Sequence, residues 1–256
     1  EVHARLVRQY VAQGVQLASE SQALAALPWF LEALKLDAGT STERDQRIRL
    51  ASALSTVPQT SHVWAFDAAI KAATFHPRSQ RKWVLAAGGP IAQLWDIGSH
   101  ERLIQESRFN DTVQRAEFSG DGDRYFVATR NELIVYDSET RAVRTRRRFA
   151  AEIQHVAFSP NGRWIAAASA KSVFVLPLDS SVDSAQELTH KDLVRFVDFH
   201  PAKPLLAAAL GSTATAVGEI VVWDLTTSRP ALPPIEHGDD VNVARFSPNG
   251  ELLVSV

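Results

Sequence analysis

The chain has 256 residues, 45% of them apolar and 22% charged, with a formal charge of −2. That balance excludes a strongly basic nucleic-acid binder and a chain too polar to bury a core. With no cysteine there is no disulfide framework, no thiol nucleophile and no thiolate metal site. No run reaches the roughly 18 apolar residues of a membrane span, and no signal peptide is visible. Methionine is absent too, and the chain opens in a helical pattern and stops in a strand pattern. A piece of a longer protein is therefore expected.

Residues 1–58 read as helices. Small residues at Gly14, Ala26 and Ala33 fall where two antiparallel helices would touch, with Leu17 and Tyr10 in phase and Phe30 filling the gap. Their spacing resembles a tetratricopeptide unit. Pro28 falls inside the second helix and is expected to kink or restart it. A third helix is expected, with Thr40 and Glu43 as a capping box and Pro58 just past its end. One such helix pair cannot bury its own face, so more helices are expected upstream.

From residue 59 onward a repeat takes over. Phenylalanines at 75, 118, 158, 199 and 246 step by 43, 40, 41 and 47. Each is followed by a turn: "FHPRS", "FSGDG", "FSPNG", "FHPAK" and "FSPNG" again. Pro fixes φ, and Asn or Asp before Gly suits positive φ, so these are turn formers for mechanical reasons. Two residues before each Phe lies Ala or Val, on the same strand face. Five before lies Ile70, Val113, Ile153, Val194 or Val241, out of phase, which predicts a lead-in loop or a bulge. An Ala-rich second run follows, then a third run ending in Trp95-Asp96, Tyr136-Asp137, Leu178-Asp179 or Trp223-Asp224.

Short strands, a period of about 40–47 and the Trp-Asp ending resemble the WD40-repeat family of β-propellers. The resemblance covers roughly residues 60–256 and assigns structural positions to Trp95, Asp96, Tyr136, Asp137, Trp223 and Asp224. It implies a mainly β chain: an incomplete WD40-type propeller of four blades and half a fifth, after a TPR-like helix pair and a third helix. The units run at about 62–106, 107–148, 149–189, 190–236 and 237–256. The family's usual Asp between second and third strands is missing, and Gly89-Pro90, Asn131, Lys171 and Gly218-Glu219 fill that place. Its Gly-His dipeptide is missing as well, though His62, His190 and His237 lie nearby. Packing is thus expected to hold the blades more than buried polar networks do. The stretch "SHVWAF" at 61–66 is expected to supply the outer strand of a final blade. An unclosed ring would need further blades or another chain.

The string "ALPWFLEALKLD", then "RIRLASAL", then these repeats is similar to the C-terminal region of planctomycete-type bacterial serine/threonine kinases. That resemblance implies a kinase domain elsewhere; this stretch has no Gly-rich phosphate loop, His-Arg-Asp or Asp-Phe-Gly. No catalytic, cofactor or metal residues are assigned. His76 and His200 take the turn slot of Ser159 and Ser247, which favours a structural role. "RAVRTRRRF", holding Arg144, Arg146 and Arg148, reads either as an anion clamp or as a charged outer edge strand. The expected function is a non-catalytic docking scaffold for proteins or peptides, in the cytoplasm, without nucleic acid. Loops around Asp111, Glu152, Asp192 and Asp239 are the expected contact face. The alternatives are a propeller enzyme or small-molecule binder at the axial mouth, and a purely architectural piece.

Overall fold

A computed structural model describes residues 2–20, 22–57, 63–64, 66–99, 101–103, 107–179, 185–211 and 218–256. The chain divides into two compact units, Glu1–Trp64 and Ala65–Val256.

The first unit holds α1 (Val2–Ser19), α2 (Ala23–Leu36) and α3 (Glu43–Thr56). Gly14 is buried against Phe30, and a Cβ there would lie 2.7 Å from Phe30 Cε1. Ala26, Phe30 and Ala53 form the small core, with Leu17 packed on it. Tyr10 and Trp29 rings meet at 5.8 Å. Gly14→Val is therefore expected to lower the urea midpoint of the helical signal, at a cost of about 1–3 kcal/mol, because the Phe30 ring must leave its place in the small core to admit the new side chain.

Two local expectations are corrected here. α2 runs through Pro28 as one helix, so of the expected kink or restart the restart does not occur. Pro28 lies in the second turn, and the carbonyl it leaves unbonded belongs to Leu24, an exposed residue. The capping box does not form. α3 begins at Glu43 after Thr42, and the Glu43 carboxylate accepts the Gly39 N–H at 2.7 Å rather than that of Thr40. Gly39, at φ 76°, turns its N–H toward that carboxylate, and Thr40 Oγ1 donates instead to the Asp37 carbonyl. Pro58 lies outside the described residues.

The second unit is a succession of antiparallel sheets. The first has β1 (Ile70–Phe75), β2 (Trp83–Gly88) and β3 (Ile91–Asp96), with β4 (Glu101–Arg102) and β5 (Ser107–Arg108) both pairing with β3. The second is β6 (Val113–Phe118), β7 (Arg124–Thr129), β8 (Glu132–Asp137) and β9 (Val143–Arg148). The third is β10 (Ile153–Phe158), β11 (Trp164–Ser169), β12 (Ser172–Pro177) and β13 (Gln186–Thr189). The fourth has β14 (Leu193–Phe199), β15 (Leu205–Gly211) and β16 (Gly218–Asp224), with β17 (Arg229–Pro230) and β18 (Ile235–His237) on β16. The last is β19 (Ala244–Phe246) with β20 (Leu253–Ser255).

Successive sheets pack face to face, and the second strands show how. Tyr125 and Val127 of β7 face the first sheet, while Phe126 and Ala128 face the third. Ile165 and Ala167 of β11 face the second sheet, and Ala166 and Ala168 the fourth. A strand covered on both faces needs an unbroken apolar run, and alanine lets the faces approach closely.

The out-of-phase residue is explained by a bulge. In the first four sheets the register of the first strand slips between Ile70 and Ala72, Val113 and Arg115, Ile153 and His155, and Val194 and Phe196. One extra residue returns Val113, Ile153 and Val194 to the buried face that Ala116, Val156 and Val197 share. The outermost faces of the first and last sheets differ. Ile70 and Phe75 are 49% and 72% exposed, and Leu252 and Val254 are 70% and 62% exposed.

One WD position is corrected. Trp95, Tyr136 and Trp223 pair with Val84, Tyr125 and Leu206; in the third sheet the matching pair is Leu176 with Ile165. Leu176-Pro177, not Leu178-Asp179, therefore occupies that register, and Asp179 lies beyond β12. Pro cannot donate to the ladder, so the strand ends there. Of the 61–66 stretch, positions 61, 62 and 65 lie outside the described residues, and Val63, Trp64 and Phe66 are in no strand.

Candidate functional site

Each inner strand starts beside a turn of the sheet before it. The Val113 N–H donates to the Gly89 carbonyl at 2.7 Å, Ile153 to Arg130 at 2.7 Å, and Val194 to Ala170 at 2.9 Å. These bonds fix the backbone of one rim of loops. The structure brings Asp111, Glu152, Asp192 and Asp239 to that rim, one before each inner strand of the second to fifth sheets. Asp111, Glu152 and Asp239 are exposed and Asp192 is half-buried. Basic residues from neighbouring turns stand near: Arg130 to Glu152 at 3.9 Å, Lys171 to Asp192 at 3.9 Å, and Lys191 to Glu219 at 3.0 Å. Asp111 and Asp239 each hold the next residue's N–H, at 2.7 and 2.8 Å.

Arg144, Arg146 and Arg148 are elsewhere, on the outermost strand β9. Arg144 reaches Asp137 at 2.6 Å and Arg148 reaches Glu132 at 3.1 Å, both in the adjoining strand. Arg146 bonds Tyr136, and Arg147 stacks over Phe149 and Phe174. Arg144 and Arg148 are paired within their own sheet, and the row of arginines puts charge on an edge strand.

The WD-position acids make turns. Asp96 Oδ1 accepts the Gly98 N–H, Asp137 Oδ1 that of Thr140, and Asp224 Oδ1 that of Thr226, at 2.7, 2.8 and 2.8 Å. The Arg144 bond and these turn bonds hold the Asp137 carboxyl well below the usual range. The Trp223 indole donates to His190 Nε2 at 2.9 Å, and the Trp95 indole to Gln93. A polar contact at the Trp223 position thus accompanies the packing that was expected to hold the blades more than polar networks do. Burial lowers the His190 pKa.

The His-Pro turns are structural. In the Ser-containing turns Ser119, Ser159 and Ser247 donate to Asp121, Asn161 and Asn249 and accept the N–H of the second strand's start. His76 Nδ1 instead accepts the Arg78 N–H at 3.1 Å, and its Nε2 donates to the Gly122 carbonyl of the next sheet at 2.9 Å. His200 Nδ1 takes the Ala202 and Lys203 N–H groups at 3.0 and 2.9 Å. Each imidazole thus accepts turn N–H groups as the Asx side chain does elsewhere, and His76 adds a link to the next sheet.

Sequence reasoning missed the inner wall. The first strands direct Arg115, Glu117, His155, Phe196, Asp198 and Arg245 away from the face shared with the sheet before. His155 stacks on Phe196 at 3.8 Å, and Arg245 lies over the same ring at 5.4 Å. Arg115 donates to the Gln154 carbonyl at 3.1 Å, and Asp198 accepts the Phe246 N–H at 2.8 Å. Desolvation raises the Glu117 and Asp198 carboxyls against nearby arginines and pushes His155 down to about 3. The available signal was charge or His one and three residues before the anchor Phe, where blade packing has no use for it. Among the described residues no group of His and acids could hold a metal.

The helical unit has its own groove of about 510 Å³, lined by Val7, Val11, Asp37, Gln46 and Arg49 among others. Gln46 holds the buried Asp37 carboxylate at 2.8 Å, which lowers its pKa.

Residues 143–175 match the family described as WD domain, G-beta repeat. The matched stretch begins on the outer strand of the second sheet and runs through the first strands of the third. The chain is 27% identical over 131 residues to the Protein LST8 homolog of Drosophila melanogaster, covering 46% of this chain and 41% of that protein. Its fold is similar to Kuenenia stuttgartiensis Hydrazine Synthase, with TM-score 0.60 and 14% identity, over 77% of this chain and 58% of that one. The chain thus spans less than two thirds of each. Among the described residues no helix is long and apolar enough to cross a membrane.

Proposed function

We propose that this chain is a non-catalytic WD40 docking scaffold whose rim of loops at Asp111, Glu152, Asp192 and Asp239 receives protein or peptide partners. The observation that carries this is the rim itself. Acids recur at one place in four successive sheets, on backbone pinned by the neighbouring sheet's turn, so a partner meets a preorganised surface. The match of residues 143–175 to the WD domain, G-beta repeat family supports the same reading. Arg144, Arg146 and Arg148 form a second, minor contact edge in this proposal. The TPR-like helices of residues 1–58 add a docking groove to the propeller of residues 59–256. Four blades and half a fifth are present, and further blades or another chain cover the apolar end faces. In a bacterial kinase parent the scaffold works in the cytoplasm by raising effective concentration, turning a weak encounter into an intramolecular one.

Photo-crosslinking residues placed at 111, 152 and 239 are expected to give discrete protein adducts in cells. Lys at the remaining rim acids should abolish them. No adduct from any of the three positions while the other rim acids are intact would sink the docking face. Reading the coding sequence outward on both sides tests the kinase tether and the missing repeats.

One observation favours a second reading. Glu117, His155 and Asp198 along the inner wall all have shifted pKa values, as a small-molecule or catalytic site at the axial mouth would. Ligand-induced protection of Phe196 and Asp198 amides from hydrogen exchange would support it over the rim.

A further inference from the structure

The turns joining first and second strands lock onto one another, except at one place. His76 fills the space beside Gly122, Asp121 that beside Gly162, and His200 that beside Gly250. The fourth sheet's turn, "HPAKP", has no such glycine. Between it and the third sheet's turn lies an open cleft of about 370 Å³. Its walls include Pro160, Trp164, Pro201, Pro204 and Leu225. Trp164 is 37% exposed, although the residue at the same register in the first sheet, Trp83, is buried.

Comparison of those two tryptophans gives a second observation. Trp83 pairs in register with Asp96, and its indole donates to the Asp96 carboxylate at 3.3 Å. Trp164 pairs with Pro177, which has no acceptor on its side chain. Among the described residues the Trp164 indole N–H has no partner. The one formally charged residue lining the cleft is Lys203, which makes no ion pair among the described residues. A free ammonium, an indole N–H without its carboxylate and an apolar floor stand in one cleft with no acid on its walls.

We propose that this cleft is a docking site for an acidic peptide segment of a partner protein. A Glu or Asp carboxylate supplies the acceptor that Pro177 removed and meets Lys203, while an adjoining apolar side chain packs on the Trp164 face and the prolines. An open cleft of this size takes one or two side chains with their backbone. It lies at the opposite end of the strands from the acidic rim, so it goes beyond the rim reading and stands or falls separately.

A random heptapeptide library displayed on phage and panned on the whole chain tests this. An acidic residue beside an apolar one should be enriched. Lys203→Glu, at an exposed site, should lose the enrichment. Pro177→Asp, which returns the acceptor of the first sheet to Trp164, should weaken the selected peptides about tenfold, as loss of a charge-assisted bond does. Cooperative urea unfolding of both variants shows that the fold survives. Lys at the rim acids should leave the selection unchanged. Selected peptides without acidic residues, enrichment that persists on Lys203→Glu, or displacement of the peptides by acetate at equal concentration would each overturn the proposal.

Discussion

Gly122→Ala is expected to destabilise the second unit by about 2–4 kcal/mol, through two separable causes. Gly122 has φ 76°, a left-handed conformation that an L side chain adopts at a cost of about 1–2 kcal/mol. Its Cβ would also lie 2.7 Å from His76 Nε2 and still closer to Cε1. That ring is poorly placed to retreat. It is buried, bonded at both nitrogens, and edge-on to Trp83 and Phe118 at 5.4 and 5.0 Å. Urea unfolding of Gly122→Ala, His76→Ala and the double variant measures the coupling. The double variant should recover the steric part and keep the φ cost. Strict additivity would show that the turns do not lock.

The second large effect is a pH dependence at His155. Burial, then the charges of Arg115 and Arg245, hold its folded pKa at about 3, against an ordinary value of 6.5. The unfolded chain therefore takes up a proton below pH 6.5 that the folded chain refuses. Stability should fall as pH drops from 6.5, by about 2–3 kcal/mol at pH near 4.5, since one pKa unit is worth about 1.4 kcal/mol. Glu117 and Asp198 face the same wall with raised pKa values and act oppositely: their burial is less unfavourable once protonated. The difference between the parent and His155→Phe, which keeps a ring against Phe196, isolates the histidine. Equal slopes in the two proteins over this range would contradict the assignment.

How much of this was legible in the sequence can be argued from particular residues. The anchors Phe118, Phe158 and Phe199, the Ala-rich second strands and the Ser-Asx-Gly turns could be read without coordinates. Their constraints are local: a pleat of period two, a positive φ, a two-sided packing face. Gly14 against Phe30 was readable for the same reason. The register of Leu176-Pro177 was not, because an Asp two residues later mimics the ending and only ladder pairing separates them. The Glu43 bond to Gly39 depended on the exit angle of the preceding helix.

The sequence by itself determined the period, the strand content and the side chains that fill the spaces between sheets. Only the tertiary structure decided which polar groups meet. His76 reaches Gly122, His155 lies on Phe196, and Trp164 faces a cleft beside Lys203, each across a boundary between sheets. Apolar burial is non-directional and shows itself as pattern, whereas a hydrogen bond or ring contact depends on distance and angle between residues some 40 apart in the chain.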